Sequence, residues 1–215
     1  LLNLRGSDLT YTPIFMSRLI IDKYGNCNLF ADIKNPLKLS KGINLTIIKP
    51  KFFNKFLSTT LAKKKILADD RTLPANINKL FHEIKSKVKL RNNPIELLKS
   101  QKNITELKGV RSAHLRDGVA LTKSIFWIKD RISKGTLTEL QAVKKIDNNR
   151  KAEKYFHSLS FPTIAGSGPN GAIVHYHATK KTDRKIQKSD LFIIDSGGQY
   201  QDGTTDVTRT ISIEK

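Results

Sequence analysis

The chain has 215 residues, 38% of them hydrophobic, with a formal net charge of +20 and a single cysteine. That length makes one ordinary domain or parts of two. No apolar run approaches the roughly 20 residues of a membrane span, and the lone Cys27 excludes an internal disulfide.

Residues 1–98 read as mixed α/β structure. Leu1-Leu2-Asn3-Leu4 has the pattern of a strand already under way. Leu19-Ile20-Ile21 and Leu29-Phe30 are short strands separated by a turn at Asp22-Lys23-Tyr24-Gly25-Asn26. Leu45-Thr46-Ile47-Ile48 is a third strand, ended by Pro50, and Phe52, Phe53, Phe56 and Leu57 follow at helical spacing. Lys65-Ile66-Leu67-Ala68 reads as a buried strand; Pro74 then opens a helix with Ile77, Leu80, Phe81 and Ile84 on one face. Asn92-Asn93-Pro94 marks the boundary, because proline disfavours helical backbone in the residue before it.

Residues 99–215 differ in character. Val110, Ala113, Leu121, Ile125, Ile128 and Ile132 have the spacing of one long amphipathic helix, which Gly135 ends. A second helix starts at Thr136 or Thr138, each with a capping-box partner three residues on (Glu139 or Gln141), and runs to about Phe156. The stretch from Pro162 to Gly171 is rich in turn formers, and Ala172-Ile173-Val174-His175-Tyr176 reads as a short strand. A polar loop, 180–189, leads to Leu191-Phe192-Ile193-Ile194, a buried strand that delivers Asp195 at its end. Two long helices followed by strands argue for an α+β fold.

The excess charge is a compositional habit. Basic residues are dispersed, with short clusters only at Lys63-Lys64-Lys65 and from Lys180 to Lys185. No aromatic residues interleave with them as a single-strand platform requires. Nucleic acid and membrane are therefore not expected partners. With no cationic-then-apolar opening segment, the expected location is cytoplasmic.

Asp195 and Asp206 are the candidate metal-binding residues. A carboxylate placed directly after an apolar strand needs a cation, a metal or several donors to offset its desolvation. Asp202-Gly203 between them is a hairpin signal. Their odd separation puts both on one face of any hairpin with an even loop. With a loop over Tyr200–Gly203, Asp206 falls opposite Gly197 and diagonal to Asp195, at roughly 7–8 Å between β-carbons. A strict two-residue Asp-Gly turn leaves Asp195 farther away. The competing structural role has Asp195 capping a turn through the Gly197 and Gly198 amides while Asp206 pairs with Arg209 or a lysine.

Four stretches, in order along the chain, resemble the Xaa-Pro aminopeptidases (aminopeptidase P), metallopeptidases of pita-bread fold. They are Asn3-Leu4-Arg5-Gly6-Ser7-Asp8, Ala113 to Leu121 around His114-Leu115-Arg116-Asp117-Gly118, Gly168-Pro169-Asn170-Gly171-Ala172-Ile173-Val174-His175-Tyr176, and Asp195 to Thr210. The resemblance implies that residues 1–98 are the later part of a creatinase-like middle domain. Residues 99–215 are then the first portion of the pita-bread catalytic domain, so that the chain is a fragment. It also implies two divalent metal ions, manganese above all, with Asp195 and Asp206 as two of the ligands. His175 then lines the pocket for a peptide with proline at its second position. The family's further ligands, one histidine and two glutamates, have no counterpart in this sequence, and Ile211-Ser212-Ile213-Glu214-Lys215 departs from the glycine usual after Thr-Arg-Thr. The expected consequence is a chain inactive by itself, with a complementary C-terminal chain as the partner that would complete it. The alternatives are a non-catalytic basic binding module on a partial pita-bread scaffold, or a decayed gene product. His114, His177 and Cys27 are read as structural.

Overall fold

A computed structural model describes residues 2–33 and 43–212 and divides the chain into two units, Leu1–Gln101 and Lys102–Lys215. Leu1 and residues 213–215, both part of the sequence reading, lie outside the described residues.

In the first unit, β1 (Arg18–Ile21) and β2 (Cys27–Phe30) form an antiparallel hairpin. The Asp22 carboxylate builds its turn by accepting from the amides of Tyr24 (2.8 Å) and Asn26 (2.9 Å) and from Asn26 Nδ2 (2.6 Å). β3 (Leu45–Ile48) runs parallel to β2, and Pro50 starts a 3-10 turn that passes into α1 (Phe53–Thr60). β4 (Lys65–Ala68), α2 (Ala75–Glu83) and β5 (Lys87–Leu90) make a parallel strand–helix–strand unit, and α3 (Pro94–Ser100) follows. Phe30, Phe53, Leu57, Ile77 and Phe81 form the core, with Phe30 edge-on to the rings of Phe53 (4.9 Å) and Phe56 (5.2 Å). Residues 2–4 are not a strand, because Asn3 adopts a left-handed conformation at φ 48°. β4 is not buried either: Leu67 is 59% exposed. β5 and α3 were not anticipated; Pro94 begins a helix capped by the Asn93 side chain, so the Asn-Asn-Pro stretch is a helix start.

In the second unit, α4 (Ile104–Ser133) opens with an Asn103–Glu106 capping box, and Gly135 follows it at φ 68°. α5 (Glu139–Lys151) opens with the Thr138–Gln141 box. It stops five residues short of Phe156, which instead begins β6 (Phe156–Leu159) after Tyr155 turns the backbone at φ 66°. β7 (Ile164–Ser167) is a wholly buried strand inside the stretch read as turns, continued by a 3-10 turn, Gly168–Ala172. Small residues permit this, since a side chain on Gly166 would press on the Asn170 carbonyl. Residues 172–176 are not the expected strand; His175 sits at φ 54°. The remaining strands are β8 (Leu191–Ser196), β9 (Gly198–Tyr200), β10 (Gly203–Thr204) and β11 (Val207–Ser212). They complete two sheets, β11-β8-β7 and β10-β9-β6. β8 alternates instead of being buried throughout: Phe192 and Ile194 are fully buried, whereas Leu191 is 62% exposed. Phe192 and Ile194 pack with Leu121, Ile128, Ile132 and Ile146 from the inner faces of α4 and α5. That core holds the sheet carrying Asp195 against both helices.

Candidate metal centre

The alternation of β8 decides where Asp195 points. Phe192, Ile194 and Ser196 face the core, so Leu191, Ile193 and Asp195 share the opposite face. β11 pairs Thr208 with Asp195 and Val207 with Ser196, and the Thr208 hydroxyl donates to Asp195 Oδ1 at 3.0 Å. Beyond this pair the chain makes a second ladder, Thr204 with Gln199 and Gly203 with Tyr200, closed by Gln201-Asp202. The two-residue turn is therefore Gln201-Asp202 and not Asp202-Gly203.

Thr205 joins the two ladders. Its amide donates to the Gly198 carbonyl at 2.9 Å, and its hydroxyl accepts from the Gly198 amide at 2.9 Å. Its own carbonyl accepts from Ser160 Oγ at 2.9 Å. Gly197 has no room for a side chain, since a β-carbon there would overlap that carbonyl. The register is the same on both sides of this junction. Continued by one pair from Val207–Ser196, it would set Asp206 opposite Gly197, on the face of Asp195 and two pairs along from Asp195–Thr208. Asp195 is half-buried and Asp206 exposed. The competing role for Asp206 does not form: Arg209 Nη1 donates to the Thr208 carbonyl at 2.7 Å.

His175 comes from the arm that follows β7. An added β-carbon on Gly171 would lie 3.6 Å from Ile193 Cγ2, so the arm lies over the face that Ile193 shares with Asp195. The arm is tied down by Glu139, a fully buried carboxylate that the sequence reading used only as a capping residue. Glu139 accepts from the Ser167 amide (2.7 Å), Ser167 Oγ (2.8 Å), Asn170 Nδ2 (3.0 Å) and the Tyr176 hydroxyl (2.8 Å). The donors bracket His175, whose exposed imidazole projects from a left-handed residue between anchored neighbours. Desolvation, above all, raises the Tyr176 phenol above its ordinary range, with the Glu139 carboxylate adding to it.

A second buried network stands behind β8. Arg150 Nε and Nη2 donate to the two carboxylate oxygens of Asp117 at 2.6 and 3.0 Å, and neither residue is exposed. Arg150 Nη2 also reaches the Ser196 carbonyl at 3.4 Å, and the Tyr200 hydroxyl donates to Asp117 Oδ1 at 2.8 Å. Burial first, then the Asp117 carboxylate, pushes the Tyr200 phenol well above its usual value. Removing one partner from such a desolvated pair costs about 3–5 kcal/mol. A signal for Arg150 was present: Ala142, Ile146 and Arg150 recur every four residues, so the arginine sits on the buried stripe of α5.

On the extended register Asp195 and Asp206 would lie on one face, while among the described residues no group of three His, Cys, Asp or Glu side chains is gathered closely enough to hold a metal. His175 is accordingly not brought into a cluster with them. The two carboxylates suit a hard divalent cation: both are oxygen donors, and among the described residues neither has a Lys, Arg or His within ion-pair distance. By themselves they form part of a coordination shell. His114 behaves structurally, with Nδ1 2.9 Å from the Val110 carbonyl, and Cys27 is buried against the Gly25 carbonyl.

Comparison with known proteins agrees with this architecture. The profile of Metallopeptidase family M24 matches residues 108–215, and that of the Creatinase/Prolidase N-terminal domain matches residues 1–106. The chain is 37% identical over 222 residues to Xaa-Pro aminopeptidase ApepP of Drosophila melanogaster, covering 98% of this chain and 35% of that protein. Xaa-Pro aminopeptidase 1 of Dictyostelium discoideum is 36% identical over 229 residues, with 100% and 35% covered. The crystal structure of X-prolyl aminopeptidase from Caenorhabditis elegans, described as a cytosolic enzyme with a di-nuclear active site, superposes with a TM-score of 0.88. Its identity is 28%, over 99% of this chain and 36% of that one. The prolidase of Pyrococcus furiosus, at 22% identity and a TM-score of 0.68 over 98% of this chain and 58% of that one, shares the fold. The chain spans about a third of the length of the curated relatives it matches. It belongs to metallopeptidase family M24, with a region matching the creatinase/prolidase N-terminal domain preceding pita-bread structure.

Proposed function

We propose that the chain supplies the later part of the middle domain (residues 1–98) and the first portion of the catalytic domain (99–215) of a metal-dependent Xaa-Pro aminopeptidase. One observation supports the reading: the β8–β11 register pairs Thr208 with Asp195, and continued past Val207–Ser196 it would bring Asp206 to the face of Asp195. In this assignment both aspartates are ligands of a pair of divalent cations, manganese being the proposed metal. Asp195 and Asp206 would hold the cations, whose chemistry when bound is Lewis-acid activation of water and of the carbonyl before proline. Thr208 orients the Asp195 carboxylate through its hydrogen bond, leaving Oδ2 for a cation. Arg150, held by Asp117, steadies the strand at the Ser196 carbonyl. His175, presented by the Glu139-anchored arm, contacts a peptide with proline at its second position. Cytoplasmic residence fits the description of the C. elegans relative; among the described residues no helix is long and apolar enough to cross a membrane.

Two carboxylates leave too many coordination positions open to fix a catalytic geometry. The 215-residue chain alone, given an Xaa-Pro peptide and manganese, is therefore expected to release no N-terminal residue. It should show only weak manganese binding, and Asp195→Asn or Asp206→Asn should remove even that. A complementary chain carrying one histidine and two glutamates in peptidase context should restore turnover. Robust hydrolysis by the chain alone, or manganese binding indifferent to both aspartates, would overturn the assignment.

A further inference from the structure

Trp127 is the only tryptophan in the chain. It lines a cleft of about 390 Å3 between α4 and α5, together with Arg131, Lys144, Lys145 and the amide side chains of Gln141 and Asn148. The Arg131 guanidinium carbon and Lys145 Nζ lie 5.5 and 5.6 Å from the indole centroid, close enough for cation–π attraction to restrain both heads beside the opening. No carboxylate is among the lining residues. Among the described residues, Arg131, Lys144 and Lys145 have no ion-pair partner. Three positive charges thus line one concave site that has no carboxylate among its lining residues.

The ligand that answers this arrangement is small and strongly anionic. The volume falls in the range of small-molecule sites, far below what a folded partner would cover. The arginine fork and two point-charge ammonium groups suit phosphate oxygens, and three cations balance the roughly two to three negative charges of linked phosphates. Gln141 and Asn148 offer neutral donors and acceptors to the rest of the ligand. We propose that the cleft around Trp127 binds a diphosphate-bearing small molecule, with Arg131, Lys144 and Lys145 on the phosphate oxygens. The site is independent of Asp195, Asp206 and the metal they are assigned.

Because Trp127 is the sole indole, its fluorescence reports the cleft directly. The full chain is titrated at physiological ionic strength with pyrophosphate, with ADP and with an oligoglutamate peptide. Pyrophosphate and ADP are expected to give saturable changes. Equal affinity identifies the free diphosphate as sufficient, whereas ADP binding about tenfold tighter or more identifies a nucleotide as the source. The double variant Lys144→Ala/Lys145→Ala should weaken both about tenfold or more. Lys180→Ala/Lys181→Ala, which removes the same charge elsewhere on this unit, should leave both within about twofold. Melting curves verify that both variants are folded, and Arg131→Gln gives an independent single-site test. Equal loss in the two double variants would reduce the effect to bulk charge and overturn the proposal. Saturation by oligoglutamate alone, or no saturable response to either phosphate ligand, would overturn it as well.

Discussion

Asp190 and Asp147 stand in opposite electrostatic situations, and together they shape the response of the second unit to pH. Asp190 is gripped by the Arg184 guanidinium, which donates to both its oxygens, and it also accepts from the Gln187 amide at 2.8 Å. The Arg184 hydrogen bond, first of its causes, holds its carboxyl below the usual range. Its stabilising contribution is present above the unfolded value of about 4 and is lost as pH falls through the lower folded value. Asp147 is pushed upward by burial, against the 2.6 Å hydrogen bond from Thr163. Its contribution has the reverse sign, complete below about pH 4 and lost as pH rises through the folded pKa. Urea denaturation across acid pH should show Asp190→Asn flattening the loss of stability below about pH 4, with Asp147→Asn leaving that limb in place. An unchanged acid limb in Asp190→Asn would mean that the Arg184 pair does not set it.

The hairpin of β9 and β10 is fastened to α4 by an absence of side chains. A β-carbon on Gly109 would overlap the Asp202 carbonyl oxygen, and one on Gly203 would press on Val110 and Ala113. Arg116, stacked over Tyr155 and Tyr200, pairs with Asp202 at the tip. Gly109→Ala must push the tip away from the helix, because the opposing atom is backbone. The expected cost is about 1–3 kcal/mol, with faster amide exchange from residue 198 to 206 than elsewhere in the unit. Exchange unchanged there would show that the hairpin does not depend on this contact. Much at this scale was legible in the sequence. Apolar spacing placed α4, a capping box placed the start of α5 at one of two threonines, and Asp22 to Asn26 announced the first turn; the Asn103–Glu106 box of α4 was seen only in the structure. What escaped has a physical reason in each case. β7 was hidden because its residues are small and sit among turn formers. β5 carries only two apolar residues between lysines. His175 lies in a left-handed turn that a β-branched stretch does not suggest. Counting along the hairpin gives the same register that β8 and β11 adopt, whereas the Glu139 and Arg150 anchors depend on partners far away in the chain.

Across the whole molecule, β11 ends its sheet in the order β11-β8-β7. Its outer hydrogen-bonding side faces no other strand among the described residues, and exposed Leu191 lies beside it at the far end of the ladder. An open strand edge is a template for another strand. Against this stands a net charge of +20, which keeps copies apart at low ionic strength. Sedimentation of the chain should therefore show self-association that grows as salt screens the charge. Thr210→Lys, adding a charge to the edge, should reduce it. Association that instead weakens with salt would locate the contact elsewhere.

Because Asp195 lies in β8 and Asp206 directly precedes β11, the strand paired with β8, their spacing is governed by local pairing. Rearrangement elsewhere in the chain leaves that distance untouched, so long as Gly198 and Thr205 keep the ladder in step. The carboxylate pair is in this sense a cassette, portable as one contiguous run of sequence. An insertion of a single residue between Ser196 and Asp206 would be enough to turn the two acids to opposite sides.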